Sequence, residues 1–168
     1  MQPHTATTEE RAAQLRSAMR AWTTGVTIVT AAHAGETHGM TVSSFTSISL
    51  DPPLIAISLN ADSQTHSLVQ RARAFGVTIL AADQQELSER FAGEGEATGD
   101  RMAGVATETY VTGAPFIRGG LAFLDCRVTK TIGAGGNTVF VAEVVAVRED
   151  GGGLPLVYHN RGYRQLKE

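Results

Sequence analysis

Gly39-Met40-Thr41-Val42-Ser43-Ser44-Phe45-Thr46-Ser47-Ile48-Ser49-Leu50-Asp51-Pro52-Pro53 is the stretch from which the rest of the chain can be placed. Its first half is dense in small hydroxyl residues, broken only by Met40, Val42 and Phe45. Its second half ends in Asp-Pro-Pro, and Leu54-Ile55-Ala56-Ile57-Ser58-Leu59 then reads as a strand, apolar except at Ser58. Hydroxyls and backbone amides at this density suit a polar, planar, phosphate-bearing ligand lying along extended backbone. Composition alone also fits a plain Ser/Thr-rich strand followed by a proline-stopped turn.

The totals narrow the class. A chain of 168 residues has the length of one domain and can bury a real core. Hydrophobic residues make up 42% and charged residues 18%, as in ordinary globular proteins rather than disordered ones. A formal charge of -3 argues against nucleic acid, which calls for a basic surface. The single cysteine, Cys126, excludes an internal disulfide and a cysteine zinc site, and on its strand it reads as a small buried apolar group. No metal site is expected, because the five histidines are scattered. No basic-then-apolar leader opens the chain and no apolar run is long enough for a membrane span, so a cytoplasmic location is expected. Glycine is abundant, with 18 residues, which points to a turn-rich β protein.

Working outward, residues 1–6 read as a loose tail. Thr7 and Glu10 have the spacing of a capping box, and Leu15, Met19 and Trp22 then form one apolar stripe on a short helix. That helix is expected to pack on the outside of the sheet, with Trp22 in the core rather than on a ligand. Gly25 to Thr30 reads as a strand, Ala34-Gly35-Glu36 as a hairpin turn, and Thr37-His38-Gly39 as the way back into the motif. His33 and His38 are expected to be exposed beside this hairpin. Ser63 or Thr65 caps a helix bearing Leu68, Val69 and Ala72, and Phe75 to Ala81 is a further strand. Asp83 is expected to cap a helix carrying Leu87 and Phe91. The Gly-rich stretch from Ala92 to Thr112 reads as a mobile excursion or lid, with a short helix at most near Asp100-Met102. Gly120–Ile132 and Thr138–Arg148 alternate as two long antiparallel strands joined at Gly133-Asn137, and Gly151–Gly153 is a turn before a last short strand, Leu154–Tyr158. The count is six to eight strands and two or three helices, a mainly β pattern expected of an antiparallel Greek-key barrel.

The central motif, Met40 to Leu54, resembles the flavin-binding signature of the flavin reductase-like family, and the likeness runs from about Met19 to Leu166. Members of that family are short-chain NAD(P)H:flavin reductases that supply reduced flavin to two-component monooxygenases. The resemblance implies a single domain over residues 1–168 with an FMN-binding split β-barrel. It also implies a homodimer with flavin sites near the subunit interface, FMN or FAD as cofactor, NADH or NADPH as co-substrate, and a separate monooxygenase as partner. Hydride chemistry asks little of the protein, because the flavin is the electron sink and the chain binds, orients and tunes it. Consistently, no nucleophile elbow, P-loop or metal helix is present.

For the ring, the candidates are Met40, Thr41, Val42, Ser43 and Ser44, whose extended backbone amides can stabilise charge near N5 and O4 as the ring is reduced. For the phosphate end, the resemblance points to Ser58, Leu59 and Asn60, then Ser63 and Thr65. The last two also make physical sense at a helix N-terminus, although plain N-capping fits them equally. Ala81 and Phe91 are weaker contact candidates. His159 and Arg161 lie in a closing segment similar to the family's Leu-Tyr-His pattern and can contact flavin or pyridine nucleotide phosphates, or belong to a solvated terminal turn.

The chain departs from the family on the nicotinamide side. Where many relatives carry Gly-Asp-His-Thr-Ile-Phe-Val-Gly, this chain has Gly135-Gly136-Asn137-Thr138-Val139-Phe140-Val141-Ala142. Asn137 replaces an imidazole and cannot carry charge. Asn137 and His159 are therefore the only candidates for a catalytic role. The change keeps a rival reading open: a flavin-binding protein without a competent pyridine nucleotide site, either a carrier or an oxidoreductase acting on another acceptor.

Overall fold

The computed structural model describes residues 6–93, 99–150 and 152–166. Residues 1–5 of the tail, Gly95 of the glycine-rich stretch and Gly151 of the late turn lie outside the described residues. The helices are α1 (Thr8–Ala18), α2 (Gln64–Ala72) and α3 (Gln85–Ala92), with one 3-10 turn at Met19–Ala21. Seven strands form the main antiparallel sheet: β2 (Thr27–His33), β3 (Glu36–Val42), β4 (Thr46–Leu50), β5 (Pro53–Asn60), β6 (Ala74–Ile79), β9 (Ala122–Ala134) and β10 (Asn137–Glu149). Their order is β3-β2-β6-β9-β10-β5-β4. Short strands β1 (Thr24–Gly25), β11 (Val157–His159) and β12 (Gly162–Arg164) make a second sheet, and β7 (Thr107–Thr109) pairs with β8 (Pro115–Ile117).

The sheet curls until β3 approaches β5, a split-barrel arrangement that stops short of closure. Val29, Val42, Ile57, Phe75, Val77 and Phe140 meet inside it, and Leu68 and Val69 of α2 pack against the same core. Burying each such side chain contributes about 1.5–3 kcal/mol, which makes this the main driving force of the fold. Register shifts at Val141/Ala142 and Val144/Ala146 interrupt the β9–β10 ladder. Such bulges bend and twist a long hairpin, and β10 can then follow β9 along its length while its first half also pairs with β5. Asp125 is fully buried on β9, where its carboxylate accepts the amides of Val111 and Thr112 at 2.8 and 2.9 Å and the Thr112 hydroxyl. That carboxylate ties the 110–114 connection to the sheet.

Several expectations need correction. The short strands bring the count to twelve among the described residues, because β1, β7, β8 and β12 are two or three residues long and too short to show a period. The capping box at Thr7 and Glu10 is present, but α1 has no buried residue, and Leu15, Met19 and Trp22 are 63%, 52% and 66% exposed. The stripe marks an apolar face, and no described element of this chain covers it. Asp83 does not cap α3; Gln84 occupies the N-cap and makes no side-chain cap bond. Gln84 instead accepts the Ala81 amide and donates to the Arg118 carbonyl, a more buried use of the same position.

Candidate functional site

The motif Met40 to Val42 lies on β3, and β3 is an edge strand of the main sheet. An edge strand leaves alternate amides and carbonyls without a neighbouring strand. Helix α3 packs against β3 and α2 packs beside it, so this edge runs between two helices. A cavity of about 490 Å³ opens there.

Alternation along β3 decides what each helix meets. Gly39 and Thr41 share one face, and α3 lies on it. Phe91 of α3 is fully buried against Gly39, where a Cβ would come within 2.9 Å of the ring. The Thr41 hydroxyl donates to the Ser88 carbonyl at 2.6 Å, so Thr41 offers a ligand chiefly its backbone. His38 and Met40 share the other face. There His38 Nδ1 and Thr65 Oγ1 are 2.8 Å apart, which joins β3 to the first turn of α2.

Helix α2 presents its N-terminus to the cavity through Ser63, Gln64 and Thr65. Ser63 is the N-cap, and its hydroxyl accepts the His66 amide at 3.2 Å. The Gln64 and Thr65 amides have no carbonyl one helical turn back within α2, so this end carries partial positive charge. The third wall comes from the C-terminal strands. Tyr158 on β11 and Tyr163 on β12 meet edge to face at 5.3 Å, and the Tyr163 hydroxyl lies 2.8 Å from Ser88 Oγ. Val26 and Phe91 complete the apolar side.

Arg101 closes the corner near His38, and its guanidinium donates to the Phe91 carbonyl at 2.9 Å, at the C-terminus of α3. Burial holds His38 below the ordinary histidine range; the charge of Arg101 adds to this and Asp100 opposes it.

Of the sequence candidates, Met40, Thr41, Ser43, Ser63, Thr65 and Phe91 line the cavity together. Val42 and Leu59 are buried in the core. Ser44 accepts the Ser58 amide and donates to the Ser58 carbonyl, so the pair stitches the motif to β5. Asn60 accepts the Asp62 amide in the turn before α2. Ala81 bridges to Pro155 beside a separate cavity. His159 bonds Thr23 at 2.9 Å, and Arg161 lines a groove under Met19 and Trp22. Asn137 begins β10 at the hairpin tip opposite Asn60 and is not among the lining residues.

His38, Ser88, Arg101, Tyr158 and Tyr163 are lining residues that sequence reasoning missed. Two of them carried a usable signal. His38 stands two residues before Met40 on one strand, and Ser88 stands three before Phe91 on one helix, so each shares a face with a residue already chosen. Arg101 and the two tyrosines reach the cavity only through tertiary folding.

Comparison with known proteins gives the family. The flavin reductase-like domain matches residues 19–167 of the chain. The chain is 40% identical over 147 residues to the reductase component of 4-nitrophenol 4-monooxygenase/4-nitrocatechol 2-monooxygenase from Rhodococcus opacus, covering 88% of this chain and 77% of that one. It is 41% identical over 143 residues to the FMN reductase (NADH) SmoA of Agrobacterium fabrum, covering 84% and 80%. Among solved structures, it resembles the Streptomyces globisporus C-1027 NADH:FAD oxidoreductase SgcE6 in complex with NAD and FAD fragments. The TM-score there is 0.86 at 30% identity, over 96% of each chain. By sequence and fold, this chain belongs to the flavin reductase-like domain family.

Proposed function

We propose that this chain is an NADH- or NADPH-dependent flavin reductase that passes reduced FMN or FAD to a separate monooxygenase. The observation that carries the reading is the open cavity along the free edge of β3, with a helix N-terminus at one end and aromatic walls at the other. A cavity of about 490 Å³ is within the usual range for a small-molecule site, and its apolar sides and few convergent polar groups suit a flavin. A bound flavin supplies the electron sink for hydride transfer. The chain's own part is to place it. Met40, Thr41 and Ser43 would hold the ring, while Ser63 and Thr65 would take the phosphate end. Phe91, Val26 and Tyr158 keep water from the apolar sides. Relatives named as NADH-dependent favour NADH as the donor.

The reading takes residues 1–168 as one domain. It also includes a homodimer, because Leu15, Met19 and Trp22 form an apolar stripe that a second copy would cover. A cytoplasmic location follows from the need for a reduced nicotinamide pool, and no helix among the described residues is long and apolar enough to cross a membrane.

The test is NADH and NADPH oxidation by the purified protein with and without added FMN or FAD. Turnover that depends on flavin supports the reductase. Tight flavin binding without turnover favours the rival, a flavin-binding protein lacking a competent pyridine nucleotide site, for which Gly136-Asn137 in place of Asp-His is the motivating observation.

A further inference from the structure

We infer that Ser88 is a positioning residue for hydride transfer, acting through Tyr163 to hold the aromatic wall of the cavity against the reacting rings. The inference rests on the proposed reductase reading and gives one buried hydroxyl a part in the rate of reduction rather than in flavin affinity.

Ser88 sits where three parts of the chain meet. It is fully buried on α3 at the back of the cavity, one turn before Phe91. Its carbonyl accepts the Thr41 hydroxyl from β3 at 2.6 Å, and its own hydroxyl lies 2.8 Å from that of Tyr163 on β12. Alanine would suit the helix better at this place, and a buried hydroxyl costs desolvation unless it is bonded. The bond that offsets this cost reaches a ring of the cavity wall.

That ring belongs to a strand in need of a tie. β12 is the outer strand of its sheet, with β11 on one side. Tyr163 meets Tyr158 of β11 edge to face, with 5.3 Å between ring centres, so a bond that holds one ring steadies both. Both line the cavity, and both pack against the small core that contains Phe91 and Val26. Hydride transfer moves a hydrogen with its electron pair from a nicotinamide carbon to a flavin nitrogen, and those atoms must be held about 3–3.5 Å apart. The tyrosine pair bounds the space that the two rings would share, so its placement limits that distance.

The two bonds of Ser88 use different groups. Thr41 takes the backbone carbonyl, which any residue supplies, and Tyr163 takes the side chain. Ser88→Ala therefore loosens the tyrosine wall while the motif strand stays tied to α3. The consequence is a split: reduction slows and flavin affinity holds.

The experiment uses the full-length protein and its Ser88→Ala, Tyr163→Phe and doubly substituted variants, with circular dichroism confirming the fold. FMN affinity is read by fluorescence titration, and reduction of bound FMN by anaerobic rapid mixing with saturating NADH. Ser88→Ala should bind FMN as the wild type does. Its reduction should slow by about tenfold, since a misplacement of about 1 Å can cost about a hundredfold. Tyr163→Phe breaks the same bond from the other side and should match it, and the double variant should be no slower than either. A tyrosine beside a flavin quenches its emission, so bound FMN should also be brighter in all three variants. Reduction at the wild-type rate in Ser88→Ala overturns the inference alone. Losses that multiply in the double variant, or a loss of FMN affinity with the rate intact, also overturn it, because Ser88 then only supports the cavity. A wild type that binds FMN and is not reduced by NADH or NADPH overturns the reductase reading itself, and the inference with it.

Discussion

Gly39→Ala tests whether β3 and α3 are joined as described, and its magnitude can be worked from three contacts. The added Cβ would lie 2.9 Å and 3.1 Å from Phe91 Cε1 and Cδ1, and 3.0 Å from Thr30 Cγ2. Carbon pairs are most comfortable at about 3.5–4.0 Å, so something must retreat by roughly 0.5–1 Å. Thr30 is fully buried and its hydroxyl is bonded to the Pro115 carbonyl, so the displacement falls on Phe91. Overpacking of this kind costs about 1–3 kcal/mol. Replacing glycine restricts the unfolded chain and offsets about 0.4–1 kcal/mol of that. The net expectation is a loss of roughly 1–2 kcal/mol. Because Phe91 lines the cavity, flavin affinity should fall as well. Urea unfolding followed by circular dichroism reads the first effect and flavin fluorescence titration the second. Gly133→Ala is the control, because nothing lies within 4 Å of the position its Cβ would take and the change should stay within about 0.5 kcal/mol. If Gly39→Ala behaved like Gly133→Ala in both assays, the packing of α3 on the motif strand would be wrong.

Replacing Ser63 and Thr65 together by Ala should weaken FMN binding by about 1–3 kcal/mol, the scale of lost hydrogen bonds to a charged group, and wild-type affinity in a fluorescence titration would remove α2 from the phosphate end. His38 lies below its ordinary range mainly through burial, so it is neutral in the free cavity near neutral pH and is driven toward protonation by a bound phosphate. FAD affinity should therefore rise as pH falls through the acid side of neutrality, and His38→Asn should flatten the profile; FAD suits this measurement because its diphosphate does not titrate there. Sedimentation at micromolar concentration should give a dimer that Trp22→Glu weakens, and a wild-type monomer would leave the α1 stripe unexplained. Asn137→His should lower the apparent Michaelis constant for NADH with flavin affinity unchanged, and the opposite pattern would remove residue 137 from the nicotinamide side.

Most strands of the sheet can be read from the sequence because they bury one or both faces, and burial leaves a period; β4, with no buried residue, is the exception. β5 is apolar almost throughout, and β9 and β10 alternate. The N-cap of α2 is readable for a local reason, since Ser63 bonds an amide three residues away. The short strands cannot be read, because two or three residues carry no period. The α1 stripe is legible as apolar, yet the sheet does not cover it: periodicity reports that a face needs cover, not which chain supplies it. In the site, the six cavity residues foreseen all lie on or beside elements that periodicity or capping locates. Arg101 approaches α3 only through the loop that follows it, and Tyr163 reaches Ser88 across 75 positions of sequence. Local pattern holds no trace of either contact.

The hairpin tip of β9–β10 is tied to the start of α2. Asn137 pairs with Asn60, and the Gly136 carbonyl accepts the Ala61 amide at 3.0 Å. His66 Nε2 lies 2.9 Å from Thr138 Oγ1, and its ring tilts against Phe140. The Asn60 carbonyl in turn accepts both the amide and the hydroxyl of Ser63, which lines the cavity. A continuous set of hydrogen bonds thus runs from the tip to the cap of α2. At residues 136 and 137 these links use only backbone groups, which any residue can supply. An acid and an imidazole can therefore be exchanged for glycine and asparagine without loosening the start of α2. What the exchange removes is the charge those side chains would offer a ligand beside the tip. If the pyridine nucleotide is bound beside the tip, as the proposed reading has it, such an exchange would alter its handling and leave the start of α2 in place, because the hydrogen bonds to α2 use the backbone of these two residues and a ligand would meet their side chains.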